Sequence, residues 1–206
     1  MPIIVSQSVG IESYTHNPLD VISNAARTCY ASQEKRKDDY EEKNFIRSLI
    51  RSGHESVIEH ASASFRVVVD RAIANEIVRH RLASYSQVST RYVGFEHDNM
   101  IKVIKPSDIR DNDIECFNAW FETCEVAERA YFNMIEHGYK KEVARSVLPL
   151  CLSTNLLMTM NFRAWRNFLK LRMDKAAHPD IRIVANMIHG ALVHIADFCF
   201  DDIGVE

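Results

Sequence analysis

At 206 residues, 47% of them hydrophobic, the chain can fold as one domain around a sizeable core. Its net charge of −3, from 25 basic and 28 acidic residues, supplies no global positive field, which argues against a binder of long nucleic acid. Five scattered cysteines with no Cys-x-x-Cys pair argue against a zinc knuckle or a thioredoxin-like motif and predict reduced thiols in a cytoplasmic protein. The opening MPIIVSQSVGIESY is too polar for a signal peptide, and no apolar run reads as a membrane span.

Apolar periodicity gives the elements in chain order. Residues 2–10 predict a first strand, and residues 18–31 a helix with Val21, Ile22, Ala25, Ala26 and Cys29 on one face. The charged stretch from Gln33 to Lys43 reads as a solvated loop or a helix start. Phe45, Ile46, Leu49 and Ile50 repeat at helical spacing, and Gly53 suits a C-terminal cap. Ser62 to Asp70 predicts a strand. Asp70 can cap the next helix, which buries Ile73, Ala74, Ile77 and Val78. A short strand is expected at 102–104, before Pro106, and a long helix over 107–136. The apolar stripe of that helix, from Phe117 to Ile135, suits a core or a subunit interface. A short helix over 142–148 stops at Pro149. A strand over 154–160 and helices over 162–173 and 181–200 complete the chain. Regular crossover helices do not separate the strands. This disfavours a doubly wound parallel sheet and predicts a helix-rich α+β fold, one domain over 1–206, with a central mixed or antiparallel sheet and long flanking helices.

The densest polar chemistry runs from Arg79 to Tyr92, RHRLASYSQVSTRY. It brings together Arg79, His80, Arg81, Gln87, Ser89 and Arg91. Arginine forks match carboxylate and phosphate oxygens two bonds at a time, so the cluster suits a small, anionic, oxygen-rich ligand. Arg81 lies four residues after Ile77, and Arg172 four after Phe168, so both continue apolar helix faces. A buried guanidinium needs a partner, which is either a core carboxylate or a bound ligand. Glu76 lies three residues before Arg79, the spacing of a helix-surface pair. Asn161 opens a helix as its cap, Arg163 and Asn167 share a face of that helix, and Arg145 faces solvent.

Other chemistry is poorly supported. The six glycines are isolated, so neither a Rossmann fingerprint nor a P-loop is present. His54 and His60 are six apart, whereas a zincin helix needs four, so no metal site is assigned and a polar turn is expected there. Ser84, Ser86 and Ser89 have no interleaved base, and no cysteine sits in an electropositive motif.

Arg79-His80-Arg81, seven residues and then Ser89 resembles the signature of the flavin-dependent thymidylate synthases. Three further blocks follow the family's order. They are Gly53-His54-Glu55-Ser56, Ala144-Arg145 with Leu148-Pro149, and Asn161-x-Arg163 with Asn167 and Arg172. The resemblance implies reductive methylation of dUMP to dTMP. The methylene comes from 5,10-methylenetetrahydrofolate, bound FAD and NADPH supply the hydride, and tetrahydrofolate is released. It also implies a homotetramer with shared active sites, and no nucleic-acid or membrane partner. Position by position it places Ser56, Arg79, His80, Arg81, Gln87, Asn161, Arg163 and Asn167 at the flavin. Glu76, Arg79, Gln87, Ser89, Arg91, Arg145 and Arg172 fall at the nucleotide, with Arg172 as the catalytic group that polarises the uracil. Glu76 and Gln87 stand where some members carry Gln and Glu respectively. The rival readings are a nucleotide-binding module without turnover and a short-RNA or DNA binder with steep salt dependence.

Overall fold

A computed structural model describes residues 1–95 and 100–204. The chain divides into two compact units. One comprises Met1–Ser8, Val67–Arg79 and Ser86–Leu156, and the other Val9–Arg66, His80–Tyr85 and the chain from Leu157 onward.

The strands are β1 (Ile3–Ile4), β2 (Ser8–Tyr14), β3 (Ser62–Asp70), β4 (Ser84–Gln87), β5 (Lys102–Val103) and β6 (Ser153–Asn161). Four of them form a sheet in the order β2-β3-β6-β4, while β1 and β5 form a separate parallel pair. Ser64 bonds Thr159 and Ala61 receives the amide of Phe162, so the register falls along β6 as it rises along β3. Those two strands run antiparallel. Alternate residues face inward, as a half-buried sheet requires: Ala63 and Phe65 on β3, and Met158 and Met160 on β6. The helix-rich α+β fold therefore follows the period-2 and period-3.6 signals in the chain.

The helices are α1 (Pro18–Cys29), α2 (Asp39–Arg51), α3 (Arg71–Ile77), α4 (Ile114–Glu136), α5 (Lys141–Ala144), α6 (Phe162–Arg172) and α7 (Pro179–Phe200). Side-chain oxygens of Asp38, Asp70, Asp113 and Asn161 cap four of them at their third amide. The expected first strand splits into β1 and β2. The long helix starts at Ile114, not at 107, because Asp113 provides the cap and polar residues precede it. Its stripe is only half-buried except at Cys124 and Tyr131. Cys29 is exposed, so the apolar face of α1 ends earlier than its periodicity predicts.

In the second unit, α6 and α7 pack together, with α2 also on α7 and the 3-10 turn Glu55–His60 against α1 and α6. Trp165 donates to the carbonyl of Ala63 at 3.0 Å and meets Phe65 edge-on. Contrary to the sequence reading, α7 has the length and mean hydropathy, 1.5, of a membrane span. Its buried Ile181, Val184, Ile188 and Leu192 and the ion pairs of Asp197 with Lys43 and Arg47 mark it instead as a core helix.

The charged stretch before α2 conceals a buried ion cluster. Glu42 is fully buried and accepts from Ser23, Arg27 and the backbone amide of Lys37. Burial alone would raise its carboxyl. The hydrogen bonds from Arg27 and Ser23 outweigh burial and lower it from 4.5 to about 2. A carboxyl lowered on folding contributes stability above its unfolded value, and that stability is lost as pH falls from 4.5 toward 2. Unfolding midpoints in urea should drop over that window, and Glu42→Gln should flatten the drop.

Candidate active site

The second unit carries seven of the assigned residues: Ser56, His80, Arg81, Asn161, Arg163, Asn167 and Arg172. Helix α6 sorts its own by period. Phe162, Trp165, Phe168 and Leu169 are buried, while Arg163 and Asn167 are exposed on the opposite side. Asn161 accepts from the amide of Ala164 at 2.8 Å, so its side-chain oxygen serves as the cap. Arg163 pairs with Glu59 and, at 3.7 Å, with Glu55. Ser56 lies exposed on the 3-10 turn beside Glu55.

Arg81 corrects an expectation. Helix α3 ends at Ile77 with Val78 as its C-cap, so the apolar face does not continue to Arg81. The side chain is exposed and forms no ion pair among the described residues. Arg172 is partly buried at the end of α6, as its helical position predicts. Its Nε donates to Nε2 of His80 at 2.9 Å. The His80 ring packs edge-on against Phe168 at 4.9 Å, and its carbonyl accepts from the Tyr85 hydroxyl at 2.8 Å. Burial, reinforced by the charge on Arg172, holds His80 below the ordinary histidine range. A neutral imidazole is also what the geometry demands, because only a deprotonated Nε2 can accept from a guanidinium. Burial likewise raises the Tyr85 phenol to about 12.

The first unit carries Glu76, Arg79, Gln87, Ser89, Arg91 and Arg145. Glu76 is half-buried on α3 and Arg79 exposed just beyond it. Gln87 donates to the Thr154 hydroxyl at 3.4 Å. The Ser89 hydroxyl accepts from the Arg91 amide at 3.3 Å, and its carbonyl accepts from the amides of Tyr92 and Val93. Such a turn engages the Ser89 hydroxyl with the backbone amide two residues on. Arg91 pairs with Glu142 at 2.9 Å, and its guanidinium lies over the Tyr92 ring. An open cavity of about 630 Å³ lies alongside, lined by Arg91, Tyr92, Tyr139, Lys140, Lys141 and Glu142. Of the assigned residues only Arg91 lines it, so it is at most one edge of the site.

Sequence reasoning missed Arg71. This residue opens α3, and its Nη2 donates to the Val88 carbonyl at 3.0 Å. Its Nε is buried and makes no hydrogen bond. Burial, and then the nearby charge of Arg145, lower its basicity. Two guanidiniums sharing one neighbourhood repel each other, and a bound anion relieves that repulsion. The available signal was Arg71's place directly after the capping Asp70, at the first position of α3. Among the described residues no group of three or more His, Cys, Asp or Glu is placed to hold a metal. His54 precedes the 3-10 turn as its N-cap and His60 is the last residue of that turn.

The family model described as "Thymidylate synthase complementing protein" matches residues 11–196. The flavin-dependent thymidylate synthase of Geobacter sulfurreducens is 34% identical over 205 residues, covering 95% of this chain and 86% of the relative. The chain belongs to the flavin-dependent thymidylate synthase family. Other flavin-dependent thymidylate synthases agree. That of Clostridium tetani is 35% identical over 93% of this chain and 84% of its own length, and that of Pyrococcus furiosus 32% over 86% and 75%. A crystal structure of a UMP/dUMP methylase, PolB from Streptomyces cacaoi bound with 5-Br dUMP, superposes with a TM-score of 0.81. That methylase is 28% identical, and the match covers 97% of this chain and 95% of that one.

In this member of the family, the contact of Arg172 with His80 implies a pH dependence. The folded value of His80 lies below its unfolded value, so the contact is intact above the ordinary histidine range and is lost as pH falls through the folded value. A protonated ring cannot accept from Arg172 and repels it. Activity should therefore fall on the acid side, and His80→Gln, which keeps an acceptor but does not titrate, should shift that limb to lower pH.

Proposed function

We propose that this chain methylates dUMP reductively to dTMP, taking the methylene from 5,10-methylenetetrahydrofolate and releasing tetrahydrofolate, with NADPH as the electron source. Bound FAD supplies the hydride. The observation that carries this reading is the family match over residues 11–196 combined with a partly buried Arg172 set against a neutral His80.

The polar groups of the second unit fit a flavin. Exposed Ser56, Arg81, Arg163 and Asn167 offer hydroxyl, guanidinium and amide groups to a diphosphate and to a ring edge. Asn161 holds α6 in register through its cap, and His80 presents a neutral ring. Arg79 and Gln87 contribute to flavin and nucleotide alike. In the first unit, Arg71, Arg91 and Arg145 neutralise the nucleotide phosphate, with Ser89 and its turn as further donors, and Glu76 faces the sugar or base. Arg172 is the catalytic residue. Its positive charge draws electron density onto the uracil carbonyl oxygens and makes C5 more nucleophilic, an electrostatic effect that is large where water is excluded. His80 fixes the Arg172 fork by accepting one of its hydrogens. The whole chain acts as one catalytic domain in a cytoplasmic homotetramer whose sites draw residues from several copies. Nucleic acid and membranes are not partners.

A second reading concerns the sugar. The structural neighbour acts on UMP as well as dUMP. We assign dUMP as the substrate here, and competition between equal concentrations of the two nucleotides tests it; preferred methylation of UMP would move the assignment.

Gently purified protein should be yellow, and dUMP should perturb its flavin spectrum. Binding of dUMP to a colourless protein that takes up no added FAD would favour a nucleotide-binding module instead. Arg81→Ala should release FAD, raising its dissociation constant about tenfold or more, the scale of one charge-assisted bond. Equilibrium dialysis measures this, and unchanged FAD retention would remove Arg81 from the flavin site.

A further inference from the structure

Two thiols unused by the proposed reaction meet in the first unit. The sulfurs of Cys124, on α4, and Cys151, just before β6, lie 3.5 Å apart. They share an apolar cluster with Ile101, Val103 and Leu152, against which Trp120 also packs. Cys124 is buried, whereas Cys151 is only partly covered and offers a way in. The contact is held from both sides. The carbonyl of Cys151 accepts from Ile104 at 2.9 Å, and its neighbours Leu150 and Leu152 accept from the amide of Arg71. Sulfurs at this distance need to move by only about 1.5 Å to bond.

We infer that Cys124 and Cys151 form a reversible intrachain disulfide at the expense of a peroxide. The sulfur of Cys151 attacks one peroxide oxygen, the O–O bond breaks, and water leaves after proton uptake. The resulting sulfenic acid is attacked by the sulfur of Cys124. The S–O bond breaks, the S–S bond forms, and a second water leaves with the thiol proton. Two thiols are oxidised by two electrons in all, and hydrogen peroxide is reduced to two waters. Contact of the two sulfurs favours this closure over further oxidation of Cys151, because the resolving thiol is already in place. The bond ties α4 to the turn that receives the first amides of α3, the helix that carries Glu76 and leads to Arg79. The loop it closes contains Arg91's partner Glu142 and also Arg145.

This inference does not rest on the proposed reaction. The test is peptide mapping of the flavin-loaded protein after brief exposure to hydrogen peroxide and then alkylation. The expected product is a cross-linked peptide pair joining Cys124 to Cys151, lighter by two hydrogens, with Trp120 emission quenched and both changes reversed by dithiothreitol. Cys124→Ala should remove the cross-link and leave Cys151 carrying added oxygen. Exposed Cys29 and Cys116 serve as internal references for reactivity. Oxidation confined to those two, with Cys124 and Cys151 recovered fully alkylated, would overturn the inference, as would a cross-link that survives Cys124→Ala.

Discussion

Arg172→Ala should lower turnover about a hundred- to a thousand-fold, the cost of removing one preorganised electrostatic contact to a developing charge. The loss should fall on kcat, with FAD content close to that of the unchanged protein, because Arg172 is assigned to the uracil and not to the flavin. Its setting supports so large an effect. The side chain stands partly buried at the end of α6, and its Nε is fixed by His80, itself wedged against Phe168. A guanidinium held in this way loses little freedom when it meets the ring. Arg172→Lys keeps the charge but not the planar fork, so it should recover only part of the rate. Steady-state kinetics with FAD absorbance on the same preparations checks both variants. Equal losses of flavin and of activity would take Arg172 out of the catalytic role.

Arg166→Leu should cost about 3 kcal/mol of folding stability, at the lower end of the range for breaking a buried ion pair. The guanidinium is 2% exposed and donates to both oxygens of Asp202, at 2.6 and 2.7 Å, to Glu55 at 3.2 Å, and to the carbonyl of Cys199. Removing it leaves a buried carbonyl and two carboxylates without their donor. The lower end applies because Glu55 and Asp202 keep some access to water. Glu55 also holds Arg163 and lies next to Ser56, so the variant should loosen flavin as well. Arg163→Ala is the control. Its ion pair with Glu59 is exposed to solvent, so its loss should leave the unfolding midpoint nearly unchanged. Urea unfolding of the two variants side by side measures the contrast, and equal midpoints would show that Arg166 does not anchor this unit.

Arg166 also shows what the chain discloses and what it hides. It lies four residues after Phe162 and three before Leu169, on the buried face of α6, yet the sequence reading singled out Arg172 and passed over Arg166. Periodicity says which side chains turn inward. It does not say which find a carboxylate waiting, because Glu55 and Asp202 are 111 and 36 residues away along the chain. Arg81 failed for a different reason. The spacing argument assumed a helix that continued, and α3 stops at Ile77. Elements bounded by strong local chemistry were legible: Asp70 and Asn161 as caps, Gly53 at positive φ after a helix, and the alternation in β3 and β6. The family was legible as an ordered set of motifs, whereas the contacts of the candidate residues were not. The acceptance of Arg172 by His80, the crowding of Arg71 by Arg145 and the pairing of Arg91 with Glu142 each join segments far apart in sequence. Such pairings are set by packing, which no short pattern encodes.

Release of tritium from dUMP labelled at C5, followed together with dTMP formation, tests the central claim most directly, because the C5 hydrogen must leave when that carbon gains the methylene. Release should require FAD, NADPH and 5,10-methylenetetrahydrofolate together, should yield dTMP in equal amount, and should collapse in Arg172→Ala. Flavin-loaded protein that binds dUMP yet releases no tritium with all three present would contradict the account.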